Sequence, residues 1–258
     1  AECRPFLYMS GCLALCGVRR RQPKAWTWLA FEGLDVLKAL EGVIVGNFAH
    51  VEDAPQGGAE HFGEESWSKL LGFAQMLTAE GELRGLVGPR ELERLWSRHI
   101  LNSTPVAEFL PDRGRVADVG SGAGFPGIVL AIIRPDLTFD LIETMERRTV
   151  WLEDVKAELG LENVNVIRSR AEDLPKDYGV DVVTARAVAA LKKLIPWTLP
   201  LLKPGGCLVA LKGQRAEQEI EDADAQLMKF KAQSARVYDV DVWGTDEGTR
   251  ILEVVKLG

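Results

Sequence analysis

One stretch constrains this chain more than any other. Val116-Ala117-Asp118-Val119 is a short apolar segment that runs straight into Gly120-Ser121-Gly122-Ala123-Gly124-Phe125-Pro126-Gly127. Glycines directly after a buried strand let the backbone turn sharply and approach a ligand closely, and in an open parallel sheet ligands sit at the carboxyl ends of the strands. Gly122, Gly124 and Gly127 also fit a GxGxxG spacing, which serves a dinucleotide site equally well and is weak on its own. Asp118 falls inside the apolar strand, and a buried carboxylate needs donors, so the turn amides are its expected partners.

The pattern downstream of Pro111 alternates strands and helices. Strands are expected at Arg115–Val119, Thr138–Ile142, Asn165–Ile167, Val180–Thr184 and Cys207–Leu211, with helices at Gly127–Ile133, Arg147–Leu159, Val188–Leu202 and Ala216–Phe230. Val237–Val242 and Arg250–Lys256 close the pattern with a turn too short for a parallel crossover. The expected fold is α/β and Rossmann-like, a parallel sheet ending in an antiparallel hairpin. Ahead of it, Ser66–Glu80 and Pro89–Leu101 carry apolar stripes at helical spacing and read as a small helical cap over residues 64–110 before a main domain at 111–258. Residues 1–63 read as an extension and linker: a helix is expected only at Phe31–Leu40, and Glu52–Gly63 is rich in Gly and Pro.

Composition removes several classes of function. The net charge of −7 argues against a generally basic nucleic-acid binder, although a local basic patch on an acidic body is compatible with it. Cys3, Cys12, Cys16 and Cys207 form neither a zinc spacing nor a secreted disulfide framework, so no metal is expected and a reducing cytoplasm is the expected compartment. No run reaches the ~18 apolar residues of a membrane span. With His50, His61 and His99 as the histidines, no hydrolase triad or metal pair stands out.

Glu143 ends the second strand nineteen residues past Gly124. A carboxylate there can accept both hydroxyls of a ribose and disfavours NADP, whose 2′-phosphate would face it. Ala171 and Glu172 follow the third strand, where side chains can flank an adenine ring. Arg186, two residues past the fourth strand, can donate to a phosphate or a carboxylate, or brace the loop. Lys212 and Arg98 are candidate cationic contacts to phosphate.

The ordered set Arg98-His99-Ile100-Leu101-Asn102-Ser103, Asp118 to Gly127, Glu143-Thr144-Met145-Glu146-Arg147-Arg148, Ser169-Arg170-Ala171-Glu172, Thr184-Ala185-Arg186-Ala187-Val188-Ala189, Pro204-Gly205-Gly206 and Leu211-Lys212-Gly213 resembles the RsmG (GidB) family of class I S-adenosylmethionine-dependent methyltransferases. The resemblance runs from about Glu64 to Leu257. Asn102 stands where the family often has Asp, Arg147-Arg148 where it has Lys-Arg, and Glu82–Arg90 lacks an Asn-Leu-Thr tract. The resemblance implies S-adenosyl-L-methionine as cofactor and 16S rRNA, within the small ribosomal subunit, as partner. The reaction it implies is methyl transfer to N7 of one guanine. It places Gly120, Phe125, Glu143, Ala171 and Glu172 at the cofactor and Arg186 in the active-site region. Three alternatives stay open from the residues alone: a methyltransferase of a small molecule or protein, an NAD-dependent dehydrogenase on the same glycines, and a non-catalytic RNA-binding module.

Overall fold

Strand β1, Arg115–Val119, lies third in a seven-stranded sheet in the computed structural model, which describes residues 51–175 and 177–258. The helix expected at Phe31–Leu40 lies outside the described residues. Parallel neighbours are β2 (Thr138–Glu143) on one side and β4 (Val180–Arg186) on the other, with β3 (Val164–Arg168) beyond β2 and β5 (Leu202–Lys212) beyond β4. The last pair, β6 (Ala232–Asp241) and β7 (Gly248–Lys256), is an antiparallel hairpin, as its short turn requires. The sheet order is β3-β2-β1-β4-β5-β7-β6, so the later strand of the hairpin inserts between β5 and β6. The expected mostly parallel α/β sheet with an antiparallel end is the fold observed.

Each strand sends alternate side chains to opposite faces. Val116, Phe139, Leu141 and Val182 pack under α4 (Gly127–Ile133) and α5 (Glu146–Leu159), while Ala117, Ile142, Val183 and Ala185 share the other core with α6 (Leu191–Thr198) and the buried residues Ala216 and Ala223. Three α-helices precede the sheet: α1 (Gly58–Phe62), α2 (Glu64–Glu80) and α3 (Pro89–Leu92). Leu70, Phe73 and Leu77 of α2 are completely buried and join the core of the first face, so residues 64–110 share one core with the sheet.

Several elements depart from their sequence expectation. The helix expected at Pro89–Leu101 stops at Leu92; Arg94 takes φ −136°, ψ 33°, and Leu95–Leu101 continues as a wider π-type segment. The carboxylate of Glu52 explains how that segment starts, because it accepts the amides of Trp96 at 2.7 Å and Ser97 at 2.9 Å, donors that a helix start leaves orphaned. Glu52–Gly63, composed like a linker, is therefore docked, and the His61 ring stacks on Trp243 at 4.4 Å. The helix expected at Ala216–Phe230 breaks at buried Ala223 into α7 (Ala216–Asp222) and α8 (Asp224–Lys229). Pro196 lies inside α6, and a 3-10 turn, Leu199–Leu201, follows. Among the described residues no helix is long and apolar enough to cross a membrane.

Candidate active site

The carboxyl ends of β1, β2, β3 and β4 open into one cleft of about 720 Å³, roofed by Leu86, Val87 and Gly88 of the loop between α2 and α3. That volume is of the size that encloses a small-molecule ligand. Its floor is the glycine turn. Gly120 and Gly124 take φ of +73° and +110°, a region that L side chains rarely adopt. At Gly124 a Cβ would come 2.7 Å from Ile128 and 3.1 Å from the Phe73 ring, and at Gly127 it would strike Leu141 and Asp118. The glycines are thus required by the turn and by the close seat of α4 on the sheet.

Asp118 holds this turn from below. It is fully buried, its Oδ2 accepts the Gly127 amide at 3.1 Å and its Oδ1 accepts the Thr184 hydroxyl at 3.0 Å. Burial pushes its pKa up to about 6, against the lowering effect of those hydrogen bonds. From the other side, the Trp151 indole of α5 donates to the Ala123 carbonyl at 2.9 Å. The loop is pinned before any ligand arrives.

Glu143 stands at the lip of the turn and is 4% exposed. Its Oε1 accepts the amides of Thr144 at 2.7 Å and Met145 at 2.9 Å; its Oε2 accepts the Gly122 amide at 3.0 Å and lies 3.6 Å from the Arg148 guanidinium. An ionised carboxylate has about four lone-pair positions, so Oε2 keeps capacity for a further donor from the cleft. Arg148 lines the same wall, and its buried Nε has no hydrogen-bond partner. Ala171 is buried and Glu172 exposed on a 3-10 turn after β3, and both line the cleft.

At the opposite wall the Arg186 guanidinium lies over the Phe125 ring, 4.8 Å from its centroid. Its Nη1 donates to the Arg98 carbonyl at 3.0 Å, and its Nη2 meets His99 Nδ1 at 2.7 Å. The other ring nitrogen, Nε2, meets Glu91 at 2.5 Å. Burial, reinforced by the Arg186 charge and opposed by Glu91, holds the His99 pKa down at about 4, while burial brings Arg186 down to about 10. A neutral imidazole fits both contacts in one tautomer, accepting at Nδ1 and donating from Nε2. Ala187, next in sequence, takes φ +54°, a conformation costing a residue with a Cβ roughly 1–2 kcal/mol.

The structure therefore brings Gly120, Phe125, Glu143, Ala171, Glu172 and Arg186 to one cleft. The Arg98 side chain is 57% exposed, and its Nε is 3.6 Å from Glu91. Lys212 is placed differently from its sequence expectation: its ammonium is turned inward to the Ala189 carbonyl and Glu219 Oε2, each at 2.7 Å, and its side chain is 9% exposed. The same Glu219 oxygen accepts the Leu191 amide at 2.7 Å, so Lys212 braces the start of α6. Sequence reasoning gave no role to His99 or Glu91; His99 lies in the quoted Arg98–Ser103 motif, but nothing local showed that its ring faces Arg186. Among the described residues no group of three or more His, Cys, Asp or Glu side chains is arranged to hold a metal ion.

Residues 66–243 match the family described as rRNA small subunit methyltransferase G, GidB. Proteins named ribosomal RNA small subunit methyltransferase G are similar over most of their length. That of Beutenbergia cavernae is 53% identical over 190 residues, covering 74% of this chain and 90% of the relative. That of Leifsonia xyli is 51% identical over 202 residues, covering 78% and 96%. Among solved structures, a Methanococcus maripaludis chain described as a candidate S-adenosyl-L-methionine-dependent methyltransferase aligns with a TM-score of 0.50 at 15% identity, over 62% of this chain and 85% of that one, a likeness of fold. With more than half its length matched and relatives above 50% identity, this chain belongs to the rRNA small subunit methyltransferase G family.

Proposed function

We propose that this protein transfers a methyl group from S-adenosyl-L-methionine to N7 of one guanine in 16S ribosomal RNA, working in the cytoplasm on the small ribosomal subunit. The observation that carries the reading is Glu143: a carboxylate at the end of β2, tied to the glycine turn through Gly122 and open to the cleft on Oε2. That donor-accepting position suits ribose hydroxyls, and the buried Ala171 leaves room for a flat ring beside the 3-10 turn. Gly120 and Phe125 line the cleft between these groups and Arg186. The family and the names of its members support the methyl donor and the RNA acceptor.

When bound, the cofactor supplies a methyl group on a sulfonium, already electrophilic. The chain's residues have a simple task, because guanine N7 attacks with a free lone pair and has no proton to lose. The carbon–sulfur bond breaks as the nitrogen–carbon bond forms, its electron pair staying on sulfur, and no general base is needed. Alignment and exclusion of water account for the catalysis. Arg186 offers donors to the guanine O6 or a neighbouring phosphate, and Arg98 offers charge to the backbone. The acidic net charge of −7 favours an assembled particle over free RNA as substrate, since long-range attraction to bare RNA is weak.

The test is methyl transfer from labelled S-adenosyl-L-methionine to small subunits that lack the modification, followed by nucleoside mass spectrometry. N7-methylguanosine from a single site supports the reading. Binding of S-adenosylhomocysteine without transfer would send the search to another acceptor, and preferential binding of NAD would reject the cofactor.

A further inference from the structure

Arg186 sits in a tether whose chemistry bears on the reaction just proposed. A free arginine meets guanine most readily in a bidentate mode, on O6 and N7 together. For a methyltransferase acting at N7 that mode is self-defeating, because the donor would occupy the lone pair that must attack. In this structure each terminal nitrogen of the guanidinium already spends one of its two N–H groups. Nη1 is held by the Arg98 carbonyl, Nη2 by His99 Nδ1, and Cζ lies over the Phe125 ring, 4.8 Å from its centroid. His99 is in turn fixed: it is 8% exposed, its ring lies 5.2 Å from that of Phe125, and its Nε2 is bound to Glu91 at 2.5 Å.

Charge points the same way. Methylation at N7 leaves the guanine ring cationic, and an uncompensated guanidinium beside it would oppose that charge. The Glu91 carboxylate, reaching Arg186 through a neutral imidazole, and Asp118 below the loop both offset it. The three residues come from three separate parts of the chain: Glu91 from α3, His99 from the π-type segment and Arg186 from the end of β4. Arg98, whose carbonyl holds Arg186, turns its own side chain to Glu91, with Nε 3.6 Å from the carboxylate.

We infer that Glu91 and His99 are positioning residues for the methyl transfer: together they hold Arg186 over Phe125, restrict it to contacts that leave the guanine N7 free, and balance its charge. The inference rests on the proposed N7 reaction.

The experiment uses the full chain and unmodified small subunits, with steady-state kinetics on the wild type, His99→Ala, His99→Asn and Glu91→Gln, and calorimetric binding of S-adenosylhomocysteine to each. A released Arg186 binds guanine non-productively, so His99→Ala should lower kcat by about 100-fold while KM for the subunits stays level or falls. His99→Asn, whose Oδ1 can accept near the former Nδ1, should recover about tenfold of that loss. Glu91→Gln keeps an acceptor but no charge, and its kcat should fall by about fivefold. S-adenosylhomocysteine affinity should stay within about threefold throughout. In parallel, ¹⁵N spectra of the imidazoles, with the His99 signal assigned by its loss in His99→Asn, should show Nε2 protonated and Nδ1 bare at neutral pH.

Wild-type kcat in His99→Ala, a defect confined to a raised KM, no recovery in His99→Asn, or an Nδ1-protonated His99 would each overturn the inference. The wild-type arm separates the two claims. If it forms no N7-methylguanosine, the reaction and the inference fall together; if it does and the variants match it, only the inference falls.

Discussion

Glu143 Oε2 accepts the amide of Gly122 at 3.0 Å, joining the end of β2 to the turn after β1 across 21 residues of chain. The bond makes one carboxylate responsible both for the shape of the turn and for the acceptor it presents to the cleft. Glu143→Ala should therefore weaken S-adenosylhomocysteine binding by more than tenfold, since losing a hydrogen bond to a charged group removes about 1.5–3 kcal/mol. Glu143→Gln, which keeps an acceptor oxygen, should lose less. Isothermal titration of both variants checks the order.

Asp118 gives the fold a pH dependence of unusual sign. Its folded pKa of about 6 lies above the ordinary 3.8, because burial disfavours the charge. The native state then binds more protons than the unfolded chain between those values, so this group's contribution to stability falls as pH rises from about 4 to about 6 and is flat above that. The size is on the order of 2–3 kcal/mol. Asp118→Asn should remove this component, and the difference between wild-type and variant melting curves measured from pH 4.5 to 7.5 isolates it from the other carboxylates.

Lys212 should behave as a brace. Removing it leaves Glu219 without its ammonium partner in a largely buried place, so Lys212→Ala should destabilise the fold by about 2–4 kcal/mol, and Lys212→Met combined with Glu219→Gln by less. Urea denaturation measures both. The salt dependence of subunit binding is the second check: loss of a phosphate contact reduces the slope by about one, and the slope should be retained here.

Arg98 should show the opposite signature. Its exposed side chain, beside Glu91, contributes little to the core, so Arg98→Ala should leave the melting temperature within about 2 °C while reducing the salt slope of subunit binding by about one. Its backbone carbonyl, which holds Arg186, survives the substitution.

The parts of this molecule that could be read in advance are those governed by local rules. The apolar segment 115–119 followed by glycines specifies a strand and a tight turn from a dozen residues, and the period-two and helical patterns on either side mark the sheet and its covering helices. Glu143 was legible because its position is counted along one β–α–β unit. The Glu91–His99–Arg186 line was not, because Arg186 and His99 are 87 residues apart and the register that unites them is set by packing of α2, α3 and the π-type segment. The inward turn of Lys212 was hidden for a related reason: its partner Glu219 lies on the same face only once α7 has docked. Glu52 shows the limit from the other side. Gly and Pro nearby suggest a linker, yet a single carboxylate finding two orphaned amides fastens that segment down.

The position of β7 has a consequence for how the protein is made. This strand is synthesised after every other, yet it fills the gap between β5 and β6. Until β7 emerges, a growing chain carries β5 with a bare edge and β6 with no neighbour to pair with, so the two-stranded part of the sheet beyond β5 is the last to be completed. An enzyme that works on ribosomal RNA is thus unable to close its own sheet until the ribosome making it has delivered almost all of the chain described here.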